Sequence, residues 1–228
     1  MTNRILALDK DIWTVESSHK LLGINFGGRM TVIRLISGDL ILHSPVFFEN
    51  SLMNEFNEIG VVKYIVAPNK FHHMHIGEYI SRYPEAEVWC APGLPKKRKD
   101  ISLSSELTDE ITQKWIGEFE CEFFQGIPSL NEVVFFHPSS RTVIFTDLLF
   151  NFADQQFLGA KIFTWLDGVY GKADIPRLIK WFMLRDRKIA RESIKKILSW
   201  DFDRVSLTHK DMVLTGGKEI VAKAFESI

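Results

Sequence analysis

The stretch Ile65-Val66-Ala67-Pro68-Asn69-Lys70-Phe71-His72-His73-Met74-His75-Ile76-Gly77-Glu78 holds three of the chain's seven histidines within four residues. It includes the end of an apolar, β-branched run, Val61 to Ala67, which Pro68-Asn69 closes. That pattern predicts a buried strand ending in a loop. From Ile76 the residues Ile76, Tyr79, Ile80 and Tyr83 recur at helical spacing up to Pro84,. The histidines therefore fall where a strand hands over to a helix, and α/β proteins place ligands at the carboxyl ends of strands.

Outward from this corner, the chain alternates strand and helix signals. On the N-terminal side, Ile5 to Glu16 reads as one edge strand leading into a loop, His19 to Gly23. Met30 to Leu35 and Leu40 to His43 flank the turn Ser37-Gly38-Asp39 as a hairpin,. Ser51 to Ile59 reads as a helix with Leu52, Phe56 and Ile59 inward, stopped by Gly60,. On the C-terminal side, Glu87 to Ala91, Glu118 to Phe124, Glu132 to His137 and Thr142 to Thr146 read as strands, the last ending at Asp147. The aromatic-rich segment Leu148 to Tyr170 is a lid or an irregular layer. Arg177 to Leu184 and Ile189 to Trp200 read as helices, the second with an apolar face of Ile189, Ile194, Ile197 and Leu198. Arg204 to Leu207 is a strand ending at Thr208-His209, and Lys218 to Phe225 is a last helix.

A chain of 228 residues with 46% hydrophobic content can bury its core as one domain, 1–228,. The net charge of −1 provides no global field for nucleic acid or an anionic membrane,. The basic run Lys96-Lys97-Arg98-Lys99 lacks interleaved aromatics and reads as a solvated loop,. No apolar run is long enough to span a bilayer, and the start carries no signal-peptide pattern,. Cys90 and Cys121 form no CxxC pair,. The expectation is a cytoplasmic domain acting on a small molecule or anion, with no nucleic-acid or membrane partner and its oligomeric state open.

Three strand ends carry imidazole or carboxylate, the ligands that zinc, iron and manganese share. They are His72, His73 and His75 after one strand, Asp147 after another and His209 after a third. A lone histidine at a strand end is more often a hydrogen-bonded structural group. Three strand ends in one chain shift the balance toward a metal site.

Taken together, these residues resemble the metallo-β-lactamase fold superfamily. There, a strand leads into a Thr-His-x-His-x-Asp-His-x-Gly loop, and later strands deliver a histidine, an aspartate and a final histidine. Here Asn69 to Gly77 takes the loop's place, Thr146-Asp147-Leu148-Leu149-Phe150 looks like the aspartate's strand end, and Leu207-Thr208-His209 looks like the final histidine. Ser44-Pro45, Ala67-Pro68-Asn69, His72-His73, Pro92-Gly93-Leu94 and Trp200-Asp201-Phe202-Asp203 resemble, more closely, an uncharacterised branch, a domain of unknown function. The resemblance implies an αββα sandwich, two mixed β-sheets face to face with helices outside. It also implies a depleted site. Lys70 and Met74 stand where the family has a loop histidine and aspartate. No ligand stands near Gly126-Ile127-Pro128, and His43-Ser44-Pro45 replaces an aspartate after the second strand of the fold.

The ligand positions that remain are His72, His75, Asp147 and His209, enough for one divalent ion, zinc before iron or manganese,. His73 is the candidate proton carrier, since imidazole ordinarily titrates at about 6.5. Lys70 is the candidate substrate contact, and its ammonium would confine an ion to the Asp147/His209 side. The implied function is a mononuclear metal-dependent hydrolase of a small ester or thioester. The alternative is a non-catalytic, metal-free relative whose Lys70 and histidines bind an anionic small molecule or a protein partner at a helix N-terminus. Oxygen or redox chemistry at an iron site ranks third.

Overall fold

Val133-Val134-Phe135-Phe136-His137 is buried at every position, and a strand apolar on both faces is stable only between two layers. The computed structural model describes residues 4–18, 20–21, 24–152 and 158–228, and it supplies both layers. The first sheet has seven strands in the order β1 (Ile5–Asp9), β2 (Ile12–Ser17), β3 (Gly28–Arg34), β4 (Asp39–His43), β5 (Val61–Ala67), β6 (Glu87–Cys90) and β7 (Ser105–Glu106). Its first four strands form an antiparallel meander, and β4 to β7 run parallel. The helices α1 (Asn50–Ile59) and α2 (Ile76–Arg82) make the first two parallel crossovers. The second sheet orders β8 (Glu120–Phe123), β9 (Val133–His137), β10 (Thr142–Phe145) and β11 (Arg204–Leu207), antiparallel except for the β10–β11 pair. Three longer helices follow in the C-terminal part: α3 (Leu158–Leu166), α4 (Arg187–Ser199) and α5 (Gly217–Phe225).

Side-chain alternation sorts the core into three apolar layers. Ile33, Ile41, Val66 and Trp89 of the first sheet meet Phe135 and Ile144 of the second. Leu40, Leu42 and Ile65 face the other way, onto Leu52 and Phe56 of α1 and Ile76 and Tyr79 of α2. Val134, Phe136, Val143 and Phe145 face outward onto Ile194 and Ile197 of α4 and Val221 and Phe225 of α5. The result is an αββα sandwich of two mixed sheets.

Three sequence expectations change. Residues 5–17 form two strands, because Asp11 adopts a left-handed turn conformation (φ 60°) between them,. The buried face of α4 is Ala190, Ser193, Ile194 and Ile197, with Ile189 exposed. Residues 179–183 form one π-helical turn instead of an α-helix. The predicted loop from His19 to Gly23 lies partly outside the described residues.

His43, the last residue of β4, is 1% exposed and lies edge-on to Phe135 with ring centroids 4.7 Å apart. Neither ring nitrogen has a hydrogen-bond partner among the described residues. Burial, then the nearby His72, pushes its pKa down to about 3. The unfolded chain therefore takes up a proton near pH 6.5 that the folded chain refuses until about 3, and stability falls as pH drops through that window. His43→Leu removes this penalty. In urea melts, the variant should gain on the wild type by about 2 kcal/mol between neutral pH and about pH 5. An equal gap at both pH values would contradict a neutral, desolvated imidazole.

Candidate metal centre

The corner after β5 is built by one amide. Asn69 is fully buried, and its Oδ1 accepts the backbone N–H groups of Phe71 and His72, both at 2.8 Å, turning the chain back on itself,. Its Nδ2 donates across to the second sheet, to Asp147 Oδ2 at 2.7 Å, Thr146 Oγ1 at 2.8 Å and Glu132 Oε2 at 3.2 Å. Glu132, 1% exposed, accepts the backbone N–H groups of Thr146 and Asp147 at 2.8 Å and of Leu148 at 3.2 Å. Burial, and then the charge of Asp147, raises the Glu132 pKa, while the N–H groups of Thr146 and Asp147 oppose that rise. The ends of β5 and β10 are thereby fixed to each other.

This frame brings His72, Asp147 and His209 together, with one ligand atom from each lying within 4.8 Å of the others. His72 Nε2 and His209 Nε2 are 3.3 Å apart, and they lie 3.2 and 3.1 Å from the Asp147 carboxylate oxygens. Ligand atoms about 2.0–2.1 Å from a tetrahedral ion stand about 3.3 Å apart, so the Nε2 pair matches one edge of such a site, while His72 faces Oδ2 and His209 faces Oδ1 of the carboxylate. The outer ring nitrogens are also spoken for. His209 Nδ1 lies 3.3 Å from the carbonyl of Phe26, and His72 Nδ1 lies 2.8 Å from Ser44 Oγ. Both groups that face His209, the Phe26 carbonyl and the Asp147 carboxylate, can only accept; an ion that took the place of the Nε2 proton would leave Nδ1–H to donate to Phe26,. Burial opposes ionisation of Asp147, but His72 and His209 outweigh it and hold the carboxyl well below its usual range. Burial lowers the His72 pKa, and Asp147 more than reverses this, leaving it raised.

The other predicted site residues do not join this group, although His73 and His75 line the same cavity. His75 stands outside the three-residue group. It occupies the N-cap of α2 and pairs through Nδ1 with Glu78 Oε1 at 2.9 Å. The Nδ1 of His73 accepts from the Arg98 guanidinium at 2.7 Å, and burial, with Lys97 and Arg98, lowers its pKa. That lone pair is occupied, and the ring braces the loop from the cavity wall. Lys70 runs past Gly93 to donate to the Pro128 carbonyl at 2.8 Å, away from the pocket. The expected repulsion between its ammonium and an ion falls with that placement. The basic run is not simply solvated either: Lys97 donates to the Lys70 carbonyl at 2.7 Å, and Arg98 holds His73. Glu132, Ser44 and Phe26 were missed as site residues; only the position of Glu132 just before an apolar strand hinted at its burial.

The three residues line a cavity of about 470 Å³ whose other walls include Phe26, Phe47, Phe71, Met74 and Phe150. Phe150 lies 4.4 Å from the His209 ring, and Phe26 lies 6.3 Å from it. Polar groups at the floor and aromatic walls are the usual build of a small-molecule site. Of the segment read as a lid or an irregular layer, Leu148 and Leu149 are buried, Phe150 walls the cavity, Leu158–Leu166 form α3, and 153–157 lie outside the described residues.

Solved structures with this architecture are metallo-β-lactamases. One from Pontibacter korlensis superposes with a TM-score of 0.62 at 12% identity, over 97% of this chain and 99% of that one. One from Erythrobacter litoralis gives 0.66 at 11%, over 99% and 97%. FIM-1 from Pseudomonas aeruginosa, solved in a mono-zinc form, gives 0.63 at 10%, over 100% and 96%. No curated protein sequence matches the chain. A family profile described as a domain of unknown function (DUF4336) matches residues 9–158, more than half of the chain. The chain thus has the metallo-β-lactamase fold and belongs to the DUF4336 family.

Proposed function

We infer that this protein is a metal-dependent hydrolase that holds one divalent ion, zinc first, between His72, Asp147 and His209. The observation that carries this is the pair of Nε2 atoms 3.3 Å apart, each 3.1–3.2 Å from one oxygen of the Asp147 carboxylate, with the outer ring nitrogens engaged. Two imidazoles and a carboxylate leave coordination open for substrate, as in mononuclear hydrolytic sites. The same set suits iron, so metal identity discriminates hydrolysis from oxygen chemistry. A bound zinc ion would lower the pKa of water and polarise an ester carbonyl.

The chain's own residues do the rest. Asp147 supplies negative charge that is already ionised, and Asn69 keeps its Oδ2 from rotating. Ser44 and the Phe26 carbonyl orient the two imidazoles. Phe26, Phe47 and Phe150 give the cavity an apolar wall that favours a substrate with an apolar acyl or leaving group, which fits a small ester or thioester,. The alternative, a metal-free anion or partner site, loses its main cation, because Lys70 donates to Pro128 outside the cavity.

Zinc titration against a chromophoric chelator should find one equivalent per wild-type chain. Asp147→Asn should weaken binding by at least about 100-fold, while His75→Ala and Lys70→Ala should stay within about threefold. Affinity should fall as pH drops, because zinc must displace the proton that Asp147 favours on His72,. Two equivalents, or none with intact folding, would remove the proposal, as would absence of zinc-dependent ester hydrolysis.

Glu132→Gln tests the frame. A Gln amide cannot accept three N–H groups as a carboxylate does, so unfolding free energy should drop by about 1–3 kcal/mol and zinc affinity by about 10–100-fold. A variant with wild-type stability and affinity would show that Glu132 does not position Asp147.

A further inference from the structure

We propose that α3 and the turn at 177–182 form a surface that docks onto an anionic lipid bilayer without crossing it. The apolar stripe of α3 faces the wrong way for a core helix. Leu158 (73% exposed), Ile162, Trp165 (66%) and Leu166 recur at i, i+4, i+7 and i+8 and point to solvent,. The buried positions are Ala160 and Thr164. Beside them stand Leu178, Trp181 (65%) and Phe182 (63%).

The two groups form one surface. Arg177 donates to the Leu166 carbonyl at 2.9 Å, its backbone N–H bonds the Asp167 carbonyl at 2.9 Å, and its guanidinium lies 6.0 Å from the Trp181 ring centroid. Exposed apolar clusters of this kind mark a binding surface.

Charge names the occupant. Residues 158–188 contain seven Lys and Arg against three Asp, in a chain whose net charge is −1. The three acids offer little to a ligand. Asp167 is buried, Asp174 is held between Lys172 and Lys180, and Asp186 caps α4. Arg177 lies beside Trp181, and Arg185 and Lys188, three and six residues after Phe182, are exposed. Two exposed tryptophans, aliphatic side chains and a basic rim are what an interfacial surface presents to acidic headgroups. No helix among the described residues is long and apolar enough to cross a membrane, so the surface would lie on the bilayer. The inner side of α3 meets the cavity wall, with Phe163 6.1 Å from Phe26, which places the docked face next to the cavity.

The test is co-sedimentation of the full-length chain with vesicles of phosphatidylcholine alone and of two parts phosphatidylcholine to one part phosphatidylglycerol. Binding to the anionic vesicles should be at least about tenfold tighter, weaken with salt and shift tryptophan emission to the blue. Trp165→Asp with Trp181→Asp should abolish it at unchanged thermal stability, and Arg185→Glu with Lys188→Glu should erase the anionic preference. No binding to either vesicle would overturn the proposal, as would equal binding to both. A wild-type dimer that the tryptophan variants dissolve, with no lipid binding, would assign the surface to a second copy and also overturn it.

Discussion

The carboxylate of Glu132, buried and accepting three successive backbone N–H groups, fixes the turn that carries Asp147. Asn69 extends this lock to the other sheet, because one amide bonds its own loop with its oxygen and the Thr146-Asp147 turn with its nitrogen. Neither sheet could set the geometry alone. His72 comes from the loop after β5 in the first sheet, and Asp147 and His209 follow β10 and β11 in the second. Arg29 adds a second tie, from β3 to Glu16 and to the carbonyl of Leu207, two residues before His209.

Two buried carboxylates so close together would repel without compensation. Asp147 obtains it from the two imidazoles and Glu132 from peptide N–H groups. The loop's long cations contribute no charge to the cavity floor. Lys70, Lys97 and Arg98 are spent on Pro128, on the Lys70 carbonyl, and on His73 and Asp100. The floor is thus a compact acid between two bases, walled by aromatic side chains. That combination suits a single small dication better than an anion.

Much of this was legible in the sequence. Strands buried on both faces announce themselves as apolar runs, so β5, β9 and β10 and their ends at the histidine loop and Asp147 could be placed. Glu132 could not, because a glutamate beginning a strand looks solvated until the turn at 146–148, brought alongside by the β9–β10 pairing, closes over it. His75 falls outside the three-residue group for a different reason: the loop is already entering α2 there, and helical phase carries the ring to Glu78. Lys70 and Arg98 have side chains long enough to choose distant acceptors, which local pattern does not encode. The low net charge hid a basic, aromatic face, because the compensating acids lie elsewhere on the chain.

Anomalous diffraction at the zinc edge, from crystals of the wild-type protein grown with zinc, tests the central claim most directly. The account predicts one peak, about 2.0–2.2 Å from His72 Nε2, His209 Nε2 and an Asp147 oxygen. The Asn69 and Glu132 contacts to the turn should be unchanged. No peak between these three side chains, or a peak ligated by His75 or by a displaced Glu132, would contradict it.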